Sequence, residues 1–261
     1  MIDLYAGLAD LPHGELPGIV ARAKEAGVDG ALVVGGSVER SRRAIQIAER
    51  FAVEWGVWAA VGILPAAAGT LNEETLTALH RMGQARRVRA VVAGLDVAPG
   101  LPPRRVQEPA FDAMLQLCQW LDLPLLLHAG EASGARLAER VRAGRDLFSA
   151  GVLHDFNGTA VELEAFLALG LSLSVSGRVT DRRHGARVRA LLPEIPVERL
   201  LIETNTPHHP PKPHRLCTHR SEPAFLPDVL KEVAHLRHVP AAPLADAVTA
   251  NARAIFGLDL P

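Results

Sequence analysis

Two histidines each close a short apolar segment of this 261-residue chain. His128 ends residues 124–128 (PLLLH), and His154 ends residues 151–154 (GVLH). Neutral imidazole nitrogens bind divalent metal ions, and imidazole exchanges protons near neutral pH. If the two segments are neighbouring strands, both rings point into one mouth. Metal binding is therefore the first hypothesis for this pair.

The histidine pair leaves two interpretations open. In the first, His128 and His154 hold one residual divalent ion, zinc, magnesium or manganese, with help from Asn205 or Glu203. In the second, the rings are hydrogen-bonded to each other or to water and hold no metal. We favour the second, because a catalytic zinc ion usually has about three protein ligands. We therefore expect no tightly bound cofactor.

A third polar segment, residues 203–205 (ETN), also follows an apolar run. Alternation along a strand places Glu203 and Asn205 on the same side. Both are candidates for a catalytic role. Glu203 is either a proton acceptor or a buried carboxylate that orients the neighbouring loops. Asn205 offers a carbonyl oxygen for ligand binding, but it has no charge and cannot act as a general base.

Two further segments carry candidate ligand-binding residues. Arg178 begins a basic run over residues 178–189, and arginine binds phosphate through paired hydrogen bonds. The competing interpretation is a solvated helix face. Residues 208–219 contain four histidines and Cys217, and include the candidates His214 and Arg215. A relocated zinc site there is a hypothesis, but the spacing matches no standard zinc motif, so we favour solvated loop histidines.

The elements that must position these residues alternate along the whole chain. Amphipathic stretches such as residues 37–51, 108–121 and 161–169 separate short, continuously apolar segments that are typical of buried parallel strands. The expected strands are residues 2–6, 30–34, 57–61, 89–94, 124–128, 151–154, 171–175 and 200–204. Eight βα units in one domain, residues 1–261, predict a (β/α)8 TIM barrel. An open doubly wound sheet is disfavoured, because no GxGxxG pattern follows the first segment. Residues 223–258 predict two closing helices.

Composition narrows the class of protein. The formal charge is −1, from 28 basic and 29 acidic side chains, so bulk charge does not indicate nucleic-acid binding, although it leaves that partner open. Two cysteines predict no disulfide framework. The first residues have no basic or apolar leader pattern, and no apolar run reaches membrane-spanning length. We expect a cytoplasmic protein that does not enter a membrane.

Several motifs occur in an order that resembles the TatD family of metal-dependent deoxyribonucleases. Residues 60–65 (AVGILP) resemble that family's A-x-G-x-H-P turn, and residues 94–96 (GLD) the end of its G-E-x-G-L-D motif. Residues 124–132 (PLLLHAGEA) are similar to P-x-x-x-H-x-R-x-A. The remaining matches are residues 151–158 (GVLHDFNG), 201–207 (LIETNTP), 213–215 (PHR), 222–223 (EP) and 251–253 (NAR).

The resemblance implies a set of metal ligands that this chain has largely replaced. Family members hold two divalent metals with an H-x-H on strand one, Glu on strand four, His on strands five and six, and Asp on strand eight. Only His128 and His154 match that set. The other ligand positions carry Tyr5, Gly7, Val92 and Asn205. Leu64 replaces a further histidine of the family, and Gly130 an arginine.

These replacements predict a TatD-like scaffold without its two-metal chemistry. A valine cannot coordinate a metal, and an asparagine supplies no charge. Tyr5 is expected to fill the vacated volume, with its hydroxyl bonded to His128 or Asn205. Our leading hypothesis is a pseudoenzyme that binds a small anionic or nucleotide-like ligand at the mouth. The alternative is an active hydrolase of the nuclease or phosphodiesterase type, with one metal on His128 and His154.

Overall fold

The computed structural model describes residues 1–215 and 218–259 of the chain. Its strands are close to the expected ones, and almost every strand residue is buried, because helices cover the sheet outside and side chains fill it inside. The strands are β1 Ile2–Ala6, β2 Gly30–Val34, β3 Gly56–Gly62, β4 Val88–Leu95, β5 Leu125–Ala129, β6 Gly151–Leu153, β7 Ser172–Val175 and β8 Leu200–Ile202.

The eight strands form one parallel sheet in the order β1 to β8. The sheet returns on itself just beyond β1 and β8. There Ala6 and Thr206 form a parallel bridge, and the Gly7 amide donates to the Thr206 carbonyl oxygen at 2.9 Å. The expected (β/α)8 TIM barrel is confirmed.

Helices follow the strands and cover the barrel. The α-helices are α1 Leu16–Glu25, α2 Val38–Arg50, α3 Glu73–Gly83, α4 Arg104–Leu121, α5 Gly134–Ala143, α6 Ala160–Ala168, α7 Ala186–Leu191, α8 Leu226–Arg237 and α9 Ala241–Phe256. Local chemistry fixes several of their ends. The Thr159 hydroxyl accepts from the Glu162 amide at the start of α6, and Gly257 ends α9 at φ 58°.

Apolar side chains form two layers. The outer layer lies between the strands and the helices and contains Val91, Phe111 and Cys118. The inner cluster fills the barrel itself and includes Leu4, Trp58 and Val92. The barrel is therefore a packed core, and polar chemistry is confined to its ends.

Two strands stop earlier than the sequence predicts. β6 ends at Leu153 and β8 at Ile202, so His154, Glu203 and Asn205 lie in the following loops. Asp155 and Asn205 have left-handed backbone with φ of 47° and 52°, which turns the chain away from the sheet.

Candidate functional site

A cavity of about 430 Å³ opens at the carboxyl ends of the strands. Its volume is in the range of small-molecule sites. Of the residues predicted from sequence to bind ligand or metal, the lining includes Tyr5, His128, His154, Arg178 and Asn205. Glu203 is fully buried beneath it. The structure therefore brings six of the eight candidate residues to the mouth.

The histidine pair lies within a row of four polar side chains. The His128 Nδ1 atom is 2.8 Å from His154 Nε2. At the buried end, His154 Nδ1 is 3.0 Å from Glu203 Oε1. At the open end, His128 Nε2 is 3.5 Å from Asp96 Oδ2, which is a long contact. The row therefore runs from the barrel interior to the cavity.

The hydrogen bonds of the row all donate in one direction, from Glu203 toward Asp96. The His128 contact keeps the pKa of Asp96 below its usual range, so this carboxylate accepts from His128 Nε2. His128 Nδ1 then accepts from His154 Nε2, and His154 Nδ1 accepts from a protonated Glu203. Burial, reinforced by the charge of Asp155, raises the pKa of Glu203 well above its ordinary value.

Burial also keeps both imidazoles neutral. It lowers the pKa of His154 to about 4 and lowers that of His128 as well. Below the row, Glu203 Oε2 is buried without a hydrogen-bond partner among the described residues. Two uncharged rings and a neutral carboxyl group can sit in this dry position at lower cost than their ions.

Tyr5 packs against the row through its ring. The Tyr5 and His154 rings stack at 3.7 Å between centroids, with 12° between planes. The expected hydroxyl contact to His128 or Asn205 is not found within residues 1–215 and 218–259. The Tyr5 ring instead lies face to face with the His154 imidazole. The volume-filling role proposed for Tyr5 fits this packing.

A second network surrounds Arg178, which lies on the 3-10 helix Gly177–Thr180 after β7. The Nη2 atom of its guanidinium group donates to Asp155 Oδ2 at 2.8 Å and to His209 Nε2 at 2.7 Å. The Asn205 side chain also donates to Asp155 Oδ2, at 3.1 Å, and the Ser176 hydroxyl donates to Oδ1. Asp155 is therefore enclosed by donors.

The pKa values of this second network show one fixed ion pair. The contact with Arg178 lowers the pKa of Asp155 despite its burial. Burial and the neighbouring Arg178 charge lower the pKa of His209, so its Nε2 atom is a free acceptor for the guanidinium. Arg178 and Asp155 are accordingly charged at neutral pH, and His209 is not.

Charge around the cavity is unevenly distributed. The β7–β8 side carries Arg178 and Arg187, together with His208 and His209. The β4–β6 side carries carboxylates from Asp96, Glu131 and Glu162. Arg40 and Asp10 pair with each other near β1. The cavity wall therefore has an acidic side and a basic side, and Asp155 pairs with Arg178 on the basic side.

Two candidate residues do not reach the cavity. The His214 ring stacks on Phe225 at 3.7 Å, and its Nε2 atom is 2.6 Å from Asp228 Oδ2. Arg215 donates to Asp181 and, at 2.9 Å, to the Pro210 carbonyl oxygen. Both side chains are held by the loop and α8, so neither lines the mouth. A ligand-binding role for them stays a prediction.

The histidine loop is divided by the fold. His208 and His209 line the cavity, whereas His214 faces α8. Leu216 and Cys217 lie outside the described residues, and Cys217 was one of the five side chains considered for a relocated zinc site. The histidines proposed as zinc donors therefore lie in two places, with His208 and His209 at the cavity and His214 against α8.

Sequence reasoning missed two carboxylates that organise the site. Asp96 and Asp155 were read only as parts of motifs. Asp96 directly follows Leu95, the last residue of β4, and Asp155 lies two residues beyond Leu153, the last residue of β6. That position at a barrel's carboxyl end was the available signal, because such residues face the mouth.

The spacing of the two histidine nitrogens differs from that of two ligands on one tetrahedral zinc ion. Two imidazole nitrogens on one tetrahedral zinc ion lie about 3.3 Å apart, given Zn–N bonds of about 2.0–2.1 Å. Those of His128 and His154 are 2.8 Å apart and share a proton. Within residues 1–215 and 218–259, no three His, Cys, Asp or Glu side chains are grouped to hold a metal ion.

A family model described as TatD related DNase matches residues 2–257. The chain is 39% identical over 246 residues to the 3'-5' ssDNA/RNA exonuclease TatD of Pantoea sp. (strain At-9b), covering 92% of each protein. It is 37% identical over 265 residues to the protein of the same name from Edwardsiella piscicida, covering 99% of this chain and 100% of the relative.

Solved structures agree with these relatives. The structure of YjjV, a TatD homologue from Escherichia coli K12, superposes with a TM-score of 0.89 at 27% identity, covering 99% of this chain and 98% of that one. A TatD-family hydrolase from Entamoeba histolytica gives 0.86 at 20% identity, covering 98% and 97%, and supports the fold alone. The described residues include no helix long and apolar enough to cross a membrane. By family model, curated relatives and fold, this chain belongs to the TatD family.

Proposed function

We propose that this protein is a single-domain TatD-family scaffold, residues 1–261, that binds a small anionic or nucleotide-like ligand at the mouth without two-metal hydrolysis. The observation that carries the proposal is the 2.8 Å hydrogen bond between His128 Nδ1 and His154 Nε2. It uses the nitrogens that a metal would need. A cytoplasmic location belongs to the same proposal.

The residues at the other family ligand positions support this proposal. Val92 is fully buried in the inner cluster and has no donor atom. A Cβ atom at Gly7 would collide with the Thr206 carbonyl oxygen, so the barrel closure leaves no room for a larger residue there. Asn205 donates its amide to Asp155. These three positions support the proposal that the two-metal site is absent.

Gly130, where the family resemblance implies an arginine, lies beside Asp96 in the mouth. A Cβ atom there would collide with the Asp96 carboxylate, which instead faces His128. Asp96 thus occupies space that any side chain at position 130 would need. This close approach supports a mouth held together by contacts between neighbouring side chains.

The charge distribution favours one position for the ligand. Arg178 and Arg187 lie on the β7–β8 side, away from Glu131 and Glu162. An anionic group bound there avoids the carboxylates across the cavity. Relatives named as single-stranded DNA and RNA exonucleases make an oligonucleotide end the first ligand to test.

The test compares this protein with the Pantoea relative in two assays. Metal content is measured after purification, and degradation of a 5'-labelled single-stranded oligonucleotide is followed with magnesium, manganese or zinc. We expect no tightly held metal, no metal-stimulated degradation, and oligonucleotide binding that EDTA leaves unchanged. Two tightly held metals per chain would refute the proposal.

The second candidate is a surviving hydrolase with one divalent metal on His128 and His154. The 37–39% identity to named exonucleases favours it. It predicts EDTA-sensitive cleavage that His128→Ala and His154→Ala both abolish. The exposed His219→Ala variant is the matched control. Cleavage that persists in both mouth variants would exclude this candidate.

A further inference from the structure

The His128 ring offers a flat surface to the cavity. Its Nδ1 atom is 2.8 Å from His154 Nε2, and its Nε2 atom is 3.5 Å from Asp96. The side chain is nevertheless 30% exposed and lines the cavity. Because both nitrogens are directed at neighbouring side chains, a ligand meets the carbon atoms and the face of this ring.

Apolar side chains lie in the same sector of the mouth. Leu64 follows β3, Leu101 lies between β4 and α4, and both line the cavity. Strands β3, β4 and β5 are consecutive in the barrel, so the loops after them are neighbours. A planar group bound on His128 therefore meets apolar surface as well. Proteins that bind single strands stack nucleobases on aromatic side chains, histidine included.

Glu131 is the carboxylate of this sector that is left for a ligand. It lies in the loop after β5, three residues beyond His128, and lines the cavity. Asp96 faces His128, and Glu162 accepts from the Thr159 hydroxyl. Among the residues that the structure describes, the exposed Glu131 side chain has no hydrogen bond or salt bridge.

The edge of one nucleobase matches a carboxylate. A carboxylate only accepts hydrogen bonds, and its two oxygens can accept side by side. Guanine has two adjacent donors, N1–H and the N2 amino group, on its Watson–Crick edge. Adenine and cytosine have an acceptor nitrogen beside their amino group, and uracil and thymine have carbonyl oxygens on both sides of N3–H. Those acceptors would repel the carboxylate, so Glu131 favours guanine.

The opposite side of the cavity supplies a cation for a phosphate. Two of the cavity arginines are already paired, Arg178 with Asp155 and Arg40 with Asp10. Arg187 on α7 also lines the cavity, is exposed, and has no acidic partner in the part of the chain that the structure describes. Guanidinium groups bind phosphate through paired hydrogen bonds. A nucleotide with its base beside β5 can therefore direct its phosphate to Arg187.

We propose that the mouth selects a guanine nucleotide, with its base on the His128 ring, its N1–H and N2 amino donors at Glu131 and its phosphate at Arg187. The inference rests on the proposed function, because it names the nucleotide that a mouth without two metals binds. Free GMP and a strand that ends in guanosine share this chemistry.

The experiment compares ligands by calorimetry in the presence of EDTA. GMP, IMP, AMP, CMP and ribose 5-phosphate are titrated into the wild type. IMP is the matched ligand, because it lacks only the N2 amino group of GMP. We expect GMP to bind about 10-fold tighter than IMP, and AMP and CMP to bind more weakly than IMP. Ribose 5-phosphate has no base to stack and should bind about 10–100-fold more weakly than GMP.

Two pairs of variants at exposed positions assign the contacts. Glu131→Gln should reduce the preference for GMP over IMP to about twofold or less, because an amide cannot accept at both ends. Glu164→Gln, on α6 and outside the cavity, should keep the preference. Arg187→Ala should weaken all five ligands by about fivefold, since each has the phosphate. Arg182→Ala, outside the cavity in the same basic run, should not.

The outcomes separate this inference from the proposed function. Equal binding of GMP and IMP, no binding of GMP, or an unchanged preference in Glu131→Gln overturns the inference. An oligothymidine that binds equally well with and without a 3'-terminal guanosine, and more tightly than GMP, also overturns it, while supporting the proposed function. Two tightly held metals per chain overturn the proposed function, whatever the base preference.

Discussion

The two sides of the mouth accommodate buried ionisable side chains in different ways. On one side, Glu203, His154 and His128 form a row of neutral groups that ends at Asp96. On the other, Asp155 keeps its charge because the Arg178 guanidinium lies against it. The first side avoids buried charge, and the second pairs it.

This difference shows two ways in which a folded protein accommodates buried imidazole and carboxyl groups. Imidazoles can satisfy each other, since each has one donor and one acceptor when neutral. A carboxylate has only acceptors, so it needs either a proton or a cation. Glu203 is protonated, and Asp155 has an arginine. The following predictions test that contrast, from the largest expected effect to the smallest.

Val92→Glu should give the largest effect. A carboxylate in the inner cluster has no cation nearby, so we expect a loss of about 4 kcal/mol in the free energy of unfolding when chelator is present. Zinc at a hundred times its Kd should recover about 2.7 kcal/mol by binding with His128 and His154. The control is Val91→Glu, which faces the outer layer and should be equally unstable without a zinc response. An equal zinc response in both variants would contradict the prediction.

His154→Ala tests the neutral row. It removes the stack on Tyr5 and takes from the buried Glu203 Oε1 atom its hydrogen-bond partner His154. We expect a loss of about 3–4 kcal/mol, measured by urea unfolding. His184 pairs with Asp181 at 2.8 Å, but its side chain is 62% exposed. His184→Ala should therefore cost less than about 1 kcal/mol, and a comparable cost for the two variants would show that burial is not the deciding factor.

Asp3 provides a pH test beneath the mouth. Burial raises its pKa from 3.8 to about 6, although Thr204 donates to it. Because the folded pKa is the higher one, this group's contribution to stability is fully present below pH 3.8 and is lost as the pH rises to about 6. At about 1.4 kcal/mol per pH unit, the loss is about 3 kcal/mol.

The Asp3→Asn variant isolates this contribution. Its stability relative to the wild type, measured by urea unfolding, should increase between pH 4 and pH 7 and then become constant. Subtracting the two proteins removes the contributions of the other carboxyl groups. A difference that does not change with pH would show that Asp3 titrates normally in the folded protein.

Asp96→Asn should have the smallest effect. The Asp96–His128 contact is 3.5 Å long, and its side chains are 17% and 30% exposed. We expect a loss of at most about 1 kcal/mol in the free energy of unfolding. A loss as large as that of His154→Ala would mean that the contact at the open end of the row contributes as much to the free energy of unfolding as the contacts at the buried end.

Much of the fold could be read from the sequence. The apolar segments predicted eight strands because parallel strands buried on both faces need continuous apolar runs, and the bounds of β1 and β2 were matched residue for residue. The ends of β6 and β8 were missed by one and two residues. The backbone adopts the left-handed conformation at Asp155 and Asn205, shortly after these strands end. Neither aspartate nor asparagine requires that conformation, so the sequence did not indicate where the strands stop.

The candidate site was predicted in part. His128, His154 and Arg178 reach the mouth because strand ends of a barrel share one face. The pairing of Arg178 with Asp155, 23 positions apart, and with His209, 31 positions apart, could not be read from the sequence. His214 and Arg215 were equally plausible candidates by residue type, yet they face α8 and Asp181.

The sequence by itself determined the eightfold alternation, the TatD motifs and the side chains at the family's ligand positions, because these depend on residue identity and order. Tertiary structure alone decided which polar groups became partners. A hydrogen bond depends on distances of about 3 Å between loops that are far apart in the chain. Whether a carboxyl group there holds a proton, as Glu203 does, or a salt bridge, as Asp155 does, follows from the burial and charge that only the folded barrel creates.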